Sequence, residues 1–316
     1  MPPSPQVNPV TDRHSVGVIG ARGHTGAELM RILGNHPYVD VVLAGSRELA
    51  GQPVPSIEGL SYESTEPEEV ASRDLAALFL ALPDGVGGPW TEAMPADTVI
   101  VDISADHRFD DSWVYGLPEL HRDKLAGARR IANPGCYATA LQLAIAPFID
   151  ELDGTPTVFG VSGYSGAGTT PSPRNDPENL KDNLIPYRLT GHNHEREGTR
   201  YLGRTVRFMP HVHPAFRGLL VTAHMPLARP TPVDIAFDRL TAAYESEPLV
   251  DVQEEIPTLK DGTELSGVLI GGTTVSEDGL GLTLVAVEDN LLKGAAVQAV
   301  QNLNLALGDA ETAGIL

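Results

Sequence analysis

Residues 15–33 of the chain read SVGVIGARGHTGAELMRIL. The apolar run Val16–Ile19 has the length of a buried strand, and the segment after the glycines reads as a helix. Between them, Gly20, Gly23 and Gly26 form a G-x-x-G-x-x-G turn. Glycines there let the backbone approach a pyrophosphate, and the N-terminus of the following helix supplies N–H donors. A glycine triplet alone also fits a simple tight turn, but between a first strand and a helix it predicts a dinucleotide-binding site.

Further apolar runs continue this pattern along the first half of the chain, at Val39–Ala44, Leu75–Leu82 and Val99–Ile103. Each run is apolar throughout rather than alternating, and helical or loop segments separate the runs. Such strands are typical of a parallel sheet that is covered on both faces. The first half therefore predicts an α/β dinucleotide-binding domain of the Rossmann type.

The second half has a different character. A helix is predicted over Tyr137–Leu152, and a polar, proline-rich loop covers residues 169–190. The segments that follow are predicted as strands Arg207–Val212, Leu219–Pro226, Gly267–Thr273 and Leu282–Val287, a helix Val233–Glu245 and a final helix Asn290–Leu307. This order predicts an α+β domain with a largely antiparallel sheet.

Composition excludes several classes of function. The chain has 316 residues, with 22 Lys and Arg against 42 Asp and Glu, so its formal charge is −20. This charge argues against nucleic acids and anionic membranes as partners. The sequence has no apolar stretch near the roughly 20 residues that span a bilayer, and its N-terminus lacks a secretory signal. One cysteine fits a reducing compartment, so a cytoplasmic location is expected.

The end of the second predicted strand indicates which dinucleotide binds. NAD-binding domains usually place Asp or Glu there to hold the ribose 2′-hydroxyl group. This chain has Gly45-Ser46-Arg47 instead. A hydroxyl beside a guanidinium suits a 2′-phosphate, which favours NADP; the alternative is that Arg47 is an ordinary solvated loop residue.

The single cysteine, Cys136, follows Asn133-Pro134-Gly135 at the start of the predicted helix. The positive end of a helix dipole stabilises a thiolate, so we expect a lowered thiol pKa. The alternative is that Cys136 is a small buried hydrophobic residue. A reactive thiol beside a dinucleotide site suggests hydride transfer to or from an acyl thioester.

Two pairs of histidines are candidates for acid–base or metal chemistry. His192 and His194 lie close to Glu197, which can orient an imidazole from one helix face, and His211 and His213 share a strand face. Neither pair fits a zinc motif and no second cysteine exists, so we expect no metal and general acid–base service by one histidine. Two arginines in short motifs, Arg108 and Arg217, are candidates for binding substrate anions.

Taken together, these motifs resemble the N-acetyl-gamma-glutamyl-phosphate reductases of arginine biosynthesis. The resembling segments run from Val16 to about Asn304 and are GARGHTGAEL, ALPDGV, DISADHRF, YGLPE, ANPGCYAT, VSGYSGAG, GHNHERE, PHVHPAFRG and VEDNLLKGAAVQAVQN. The resemblance implies a Rossmann NADP-binding domain and an α+β domain like those of semialdehyde and glyceraldehyde-phosphate dehydrogenases. It also implies that the last helix returns to the first domain. The expected organisation is a disordered tail 1–14, a dinucleotide-binding domain 15–135 plus 289–316, and a catalytic and dimerisation domain 136–288.

The resemblance also implies roles for individual residues. Cys136 corresponds to the nucleophile and His194 to the acid–base residue. The implied substrate-site residues are Arg108, His192, Glu197, His211 and Arg217. The implied NADP contacts are Gly20, Arg22, Gly23, His24, Thr25, Gly26, Ser46, Arg47, Ser165, Gly166 and Asn290. The chain departs from the family at Asp84, where many members have histidine, and in the loop 169–190.

The reaction that the resemblance implies is reduction of N-acetyl-glutamyl 5-phosphate by NADPH to the semialdehyde, with release of phosphate through a Cys136 thioester. Two alternatives stay open. One is a sister reductase that acts on aspartyl phosphate or on carrier-linked aminoadipyl phosphate. The other is a catalytically inactive NADP-binding regulator. The expected partners are a small-molecule substrate and further copies of the chain, as a dimer or a tetramer.

Overall fold

The computed structural model describes residues 13–316. The predicted tail, residues 1–14, therefore lies almost wholly outside the described residues. Its last residue, His14, begins the first strand, so the predicted boundary is wrong there. The backbone N–H of His14 donates to the carbonyl of Tyr38, and its pairing with Val39 starts the first ladder of the sheet.

The first sheet has seven strands within the described residues, and all of its neighbouring strands are parallel. The strand order is β3-β2-β1-β4-β5-β7-β6. The strands are β1 (His14–Ile19), β2 (Val39–Gly45), β3 (Tyr62–Glu63), β4 (Ala77–Leu80), β5 (Val99–Asp102), β6 (Val114–Tyr115) and β7 (Arg130–Ala132). The strand order reverses between β1 and β4, and ligands of such sheets bind at the carboxyl ends of the strands beside that point.

The first sheet is covered by helices on both faces. Val16 and Val18 of β1 belong to one apolar cluster with α1 (His24–Leu33) and the C-terminal helix. The opposite face packs on α2 (Pro67–Ala71) and α3 (Gly88–Ala93). The last helix of this half is α4 (Pro118–Leu125). The expected covered parallel sheet is confirmed.

The second sheet also has seven strands within residues 13–316 and is mixed. Its order is β12-β13-β14-β11-β8-β10-β9, in which the β8–β10 and β12–β13 pairs are parallel and the others antiparallel. The strands are β8 (Thr157–Gly163), β9 (Ile185–Pro186), β10 (Arg207–His213), β11 (Leu219–Pro226), β12 (Val250–Val252), β13 (Val268–Val275) and β14 (Gly281–Glu288). The helices of this half are α5 (Cys136–Ile145), α6 (Pro177–Leu180), α7 (Asn193–Tyr201) and α8 (Val233–Tyr244).

Helix α5 fills the core of the second half. Every residue of α5 after Cys136 is buried, and the helix packs against the inner face of the second sheet. The predicted helix Tyr137–Leu152 is too long, because the α-helix ends at Ile145 and continues as a 3₁₀ helix over Ala146–Glu151. The ring of Pro147 removes a backbone N–H at this transition, so the α-helical bonding pattern does not continue.

The C-terminal segment starts with a π-helix over Leu292–Ala296 and becomes an α-helix, α9 (Val297–Leu307), instead of the single predicted helix. Gly308 ends α9 in the left-handed conformation, with φ of 81°. Val300 and Leu303 of α9 pack in the apolar cluster of the first sheet. The domain boundaries at 135/136 and 288/289 stay a prediction. No helix among the described residues is long and apolar enough to cross a bilayer.

Candidate active site

One cleft of about 680 Å³ collects most of the predicted site residues. This volume lies within the usual range for small-molecule sites. The first half of the chain contributes the glycine turn, Ser46, Arg47, Asp84 and Arg108 to the lining. The second half contributes Cys136, His194 and the Ser165–Gly166 loop. The two halves of the molecule thus meet along this cleft.

The glycine turn has the shape that a bound dinucleotide requires. Gly20 has φ of +84°, and a Cβ atom there would lie 2.2 Å from the carbonyl oxygen of Ala81. A Cβ atom on Gly26 would lie 2.2 Å from the carbonyl oxygen of Gly20. Gly23 caps α1, so the free N–H groups of the first helical turn face the cleft together with His24 and Thr25. These residues fit the pyrophosphate of a dinucleotide.

Ser46 and Arg47 follow β2 and line the cleft, as expected. The guanidinium of Arg47 is 73% exposed and forms an ion pair with Glu66, at 3.1 Å from Oε1. Arg22 also lines the cleft and pairs with Glu48 at 2.9 Å. An exposed guanidinium at this edge can exchange its carboxylate partner for an incoming phosphate.

The other wall of the cofactor half is built by Asn290 and the loop after β8. The side-chain amide of Asn290 donates to the hydroxyl of Ser165 at 2.9 Å and accepts from the N–H of Gly218 at 3.0 Å. Gly166 follows Ser165 along the cleft surface. These bonds fix the loop against the end of β14 next to Cys136.

Cys136 is the first residue of α5 and lines the cleft. The expectation of a lowered thiol pKa is wrong for the free protein: removal of the thiol from bulk water, with a smaller effect from the charge of Glu288, raises its pKa to about 12. The N–H of Tyr137 at the helix start acts in the opposite direction but is weaker. The resting side chain is therefore a thiol, which needs a base in order to react.

His194 can supply that base. Burial, and then the charge of Arg108, lower the pKa of its imidazole well below the usual value, so the ring is neutral. Its Nδ1 atom is buried without a hydrogen-bond partner. A Cβ atom on Gly135 would lie 2.0 Å from Nε2 of His194, so this imidazole lies against the residue that precedes Cys136. A neutral ring in this position can accept a proton.

Glu197 does not line the cleft, but it binds three groups that surround the site. Its fully buried carboxylate accepts hydrogen bonds from Arg108 Nη1 at 2.9 Å, from the Tyr115 hydroxyl at 2.9 Å and from the N–H of Gly135 at 3.0 Å. The expected orientation of the His194 imidazole by this carboxylate does not occur through a hydrogen bond, because Nε2 of His194 is 4.0 Å from Oε1 of Glu197. The three stronger donors occupy the carboxylate instead.

Arg108 has a partner at each guanidinium nitrogen. Nε donates to the carbonyl of Asn133 at 2.9 Å, Nη2 to that of Ile103 at 2.8 Å, and Nη1 to Glu197. The side chain still lines the cleft beside Cys136 and is almost completely buried. Each terminal nitrogen carries a second hydrogen, so the rigidly held guanidinium retains donors for an anion.

His192 caps the helix that carries His194. Its Nδ1 accepts from the N–H of His194 at 3.1 Å, and the two rings are 4.6 Å apart. Burial, then the electrostatic coupling to His194 and the charge of Arg188, lower the pKa of His192 to about 3. His192 itself does not line the cleft, and its neutral ring is needed as the acceptor of the cap.

Four of the five expected substrate residues do not line the cleft: His192, Glu197, His211 and Arg217. The ring of His211 lies 4.3 Å from that of Phe159 on the face of the second sheet opposite the core, because alternate residues of β10 point to opposite faces. Arg217 forms ion pairs with Asp289 at 2.7 Å and with Glu28 of α1 at 2.8 Å. Arg217 therefore joins the two halves of the molecule.

Asp84 connects the loop after β4 to the loop after β5 by a hydrogen bond. Its carboxylate accepts from the N–H of Ala105 at 2.9 Å, next to the segment that carries Arg108. No group of three or more potential metal ligands occurs in residues 13–316.

Two domain families match the chain: the NAD-binding domain of semialdehyde dehydrogenases over residues 15–128, and the dimerisation domain of the same enzymes over residues 136–290. A curated relative from Stenotrophomonas maltophilia, an N-acetyl-gamma-glutamyl-phosphate reductase, is 50% identical over 95% of this chain and 98% of its own length. The chain belongs to the N-acetyl-gamma-glutamyl-phosphate reductase family. A reductase of the same name from Xylella fastidiosa is 48% identical over 94% of each chain.

Comparison with solved structures shows that this reductase has the same fold as aspartate semialdehyde dehydrogenases. The Vibrio cholerae enzyme II has a TM-score of 0.79 at 19% identity, with 95% of this chain and 99% of that chain covered. A Candida albicans enzyme with NADP has a TM-score of 0.74 at 16% identity, with 94% and 99% covered. These similarities confirm the predicted combination of a Rossmann-like sheet and a dimerisation domain.

Three further residues shape this site, although no local motif predicts a role for them. Tyr115 lies in the YGLPE motif, and its hydroxyl donates a hydrogen bond to Glu197. Gly135 precedes Cys136 and makes room for His194. Glu288 shows one signal in the sequence: it continues the alternating buried positions of β14, where an apolar residue is expected.

Proposed function

We propose that this protein catalyses the NADPH-dependent reduction of N-acetyl-L-glutamyl 5-phosphate to N-acetyl-L-glutamate 5-semialdehyde, with release of phosphate. The observation that carries the proposal is that one cleft holds the Cys136 thiol, the neutral His194 imidazole and the glycine turn. A nucleophile, a proton acceptor and a dinucleotide cradle are the parts needed to reduce an acyl group through a covalent intermediate.

In the first step, a ring nitrogen of His194 takes the proton of the Cys136 thiol as the sulfur attacks the acyl carbon. The bond from that carbon to the phosphate oxygen breaks, and a thioester forms on Cys136. Arg108 is held by three backbone and side-chain acceptors and keeps hydrogens for the departing phosphate. The His194 ring is neutral in the resting protein, so one of its nitrogens is free to accept this proton.

NADPH supplies, when bound, the hydride that reduces the thioester carbonyl. The glycine turn, Ser46, Arg47, Ser165, Gly166 and Asn290 would hold it, with Arg47 at the 2′-phosphate. His194, which carries the proton taken from Cys136, then protonates the developing oxyanion. Collapse of the thiohemiacetal frees the aldehyde and returns the proton to sulfur.

The covalent step is tested by mixing the enzyme with acyl phosphate in the absence of NADPH. We expect up to one phosphate released per site, followed by a stop if the thioester hydrolyses slowly. Mass spectrometry of the quenched protein should locate the acyl group on Cys136, since the chain has no second cysteine.

The matched control is Cys136→Ser, which keeps the size of the side chain but leaves a far poorer nucleophile. It should show neither phosphate burst nor turnover, while its affinity for NADPH is retained. An unmodified wild-type protein that releases phosphate only after addition of NADPH would contradict the thioester route.

The identity of the acyl group needs a separate experiment. Phosphate-dependent reduction of NADP should be fast with N-acetyl-glutamate semialdehyde and at least a hundredfold slower, in kcat/KM, with aspartate semialdehyde. A preference for the aspartyl compound, or turnover only with a carrier-linked substrate, would assign the chain to a sister activity. Absence of turnover with all three would favour a regulatory NADP-binding protein.

We also propose that the protein works as a homo-oligomer, a dimer or a tetramer, in the cytoplasm. The face of the second sheet opposite the core carries partly exposed apolar side chains, among them Phe159, Val161 and Leu220. This half of the chain matches a dimerisation domain. Light scattering should give a multiple of 33.6 kDa, and Phe159→Glu should dissociate the assembly whereas Val233→Glu on α8 should not.

A further inference from the structure

Glu288 breaks the pattern of the strand that carries it. The preceding even-numbered residues of β14 are Leu282, Leu284 and Ala286, and all three belong to the apolar core. Because side chains alternate along a strand, Glu288 points to the same inner face. Breaks of an otherwise consistent pattern occur mainly at functional sites.

The carboxyl group of Glu288 has no partner among the described residues. The residue is 0% exposed, and both Oε1 and Oε2 are buried without a hydrogen bond. An ionised carboxylate in such a place is strongly disfavoured. Burial accordingly raises the pKa of Glu288 well above its usual value, and the neutral acid is the form that the surroundings tolerate.

This carboxyl group lies directly behind the nucleophile. A Cβ atom on Gly294 would lie 2.6 Å from Cβ of Cys136 and 2.8 Å from Oε1 of Glu288. The Cβ of Cys136 and the Oε1 of Glu288 are therefore at most 5.4 Å apart, the sum of these two distances. The absence of a side chain at Gly294 brings the two groups together.

Among the charged groups around Glu288, Lys293 acts to lower the pKa of Glu288, but less strongly than burial raises it, and Asp289 and Glu119 raise it further. Lys293 of the π-helix already donates to Glu119 of α4 at 2.6 Å. Asp289, which follows β14, is paired with Arg217. The remaining neighbour is Cys136 of α5, whose thiolate would be a second anion.

We propose that Glu288 is a positioning residue for the Cys136 chemistry: it stays protonated at neutral pH, so that negative charge developing on the sulfur meets a neutral O–H group instead of a carboxylate. Two anions this close in a buried site would repel each other strongly. The proposal rests on Cys136 as the nucleophile of the proposed function. Its test uses no substrate, so the two can fail separately.

The test measures the rate of Cys136 alkylation by iodoacetamide as a function of pH, which reports thiolate formation at the single cysteine. On this proposal, Glu288 ionises before Cys136 in the wild type, so the thiolate forms beside a carboxylate. Glu288→Gln removes that charge and keeps the size of the side chain. We expect the alkylation midpoint to fall by about one to two pH units.

Glu254→Gln is the matched control, because it removes the same charge from an exposed site. It should leave the alkylation midpoint within a few tenths of a unit of the wild type. An unchanged midpoint in a folded Glu288→Gln variant would overturn the proposal. So would a several-fold faster alkylation of that variant near pH 7, since it would mean that Glu288 is already ionised there.

A second measurement tests the proposal even if the Glu288→Gln variant does not fold, because it is made on the wild type. Infrared difference spectra of the wild type between pH 7 and pH 10 should show the loss of a protonated carboxylic acid band, because exposed carboxyl groups are already ionised at pH 7. The band should be absent from Glu288→Gln or, in its place, Glu288→Met. Absence of this band from the wild type at pH 7 would overturn the proposal.

Discussion

Glu197 determines the charge and position of the groups that surround the nucleophile. Its carboxylate binds Arg108, Tyr115 and the backbone of Gly135, so a helix of the second half holds both the bend before Cys136 and the guanidinium beside it. Burial, and then the positive charge of Arg108, lower the pKa of His194 and keep its ring unprotonated. A neutral base and a protonated thiol are the resting pair that these contacts produce.

His194→Asn should lower kcat by about 10²–10⁴-fold and change KM much less, because it removes proton transfer and little binding energy. His213→Asn is the control: His213 is an exposed residue at the end of β10, outside the cleft. Its kcat should stay within about twofold of the wild type. Steady-state kinetics of both variants would decide, and equal losses would argue against His194 as the acid–base residue.

Arg47→Asp should reduce the preference for NADPH over NADH, because a carboxylate repels the 2′-phosphate and suits a free 2′-hydroxyl group. A charged contact of this kind corresponds to roughly ten- to a hundredfold in the ratio of kcat/KM values. Arg129→Asp makes the same charge change on an exposed residue outside the cleft and should leave the ratio unaltered. An unaltered ratio in Arg47→Asp would remove Arg47 from the cofactor site.

The two halves of the site are built on the N-termini of two helices. Helix α1 starts at the glycine turn and directs its free N–H groups to the cofactor half. Helix α5 starts at Cys136, after a residue, Gly135, whose missing side chain admits His194. The start of each helix needs a glycine where a Cβ atom would overlap its neighbours: Gly26 in α1 and Gly135 before α5. Adding a side chain at either position should therefore disturb the site directly.

Gly26→Ala should destabilise the protein by about 1–3 kcal/mol, because the added methyl group would overlap backbone atoms of Gly20 and Ala21. Gly23→Ala is the matched control within the same turn, since its methyl group would have a single ordinary contact at 3.5 Å. Urea unfolding of both variants measures the difference. Equal stabilities would show that the backbone of the turn relaxes without cost.

Ion pairs and the packing of the C-terminal helix connect segments of the molecule that are far apart in the chain. Arg217 connects α1 to the residue after β14, and Arg122 of α4 binds both Glu247, after α8, and Glu311 near the C-terminus. These bidentate contacts raise the pKa of Arg122. Helix α9 crosses back to the first sheet and packs beside α1. The cleft geometry therefore depends on contacts far apart in the chain.

Several buried histidines make the free energy of unfolding depend on pH. Burial lowers the pKa of His24, His36, His121, His192 and His194 in the folded protein. The unfolded chain binds more protons than the folded one once the pH falls below about 6.5, so stability should fall with pH in that range. Glu288, whose pKa is raised, acts with the opposite sign.

His192→Asn isolates one of these contributions. Asparagine is a good helix cap, so the cap of α7 should persist while the titrating group is lost. The pKa of His192 in the folded state is about 3. Below pH 6.5, His192 should therefore lower the free energy of unfolding of the wild type by up to about 1.4 kcal/mol for each unit that the pH falls. Urea unfolding at pH 7, 6 and 5 should show a shallower slope for the variant. Identical slopes would contradict the lowered pKa of His192.

The sequence by itself determined the elements that depend on local pattern. The order of apolar runs predicted the parallel sheet, and the glycine spacing between β1 and α1 predicted the dinucleotide turn. The start of α5 at Cys136 followed from the Pro134-Gly135 bend and the apolar run behind it. Such features arise from backbone sterics and from periodicity, which residues close in the chain decide.

Only the tertiary structure decided what each side chain can do. The helix start at Cys136 predicted a lowered thiol pKa, but burial and Glu288, 152 positions later in the chain, raise it. Arg217 and His211 lie in motifs beside true cleft residues, yet one pairs with Glu28 across the cleft and the other faces away from the core. Desolvation and charge depend on every atom packed nearby in space, so the sequence around a residue does not determine them.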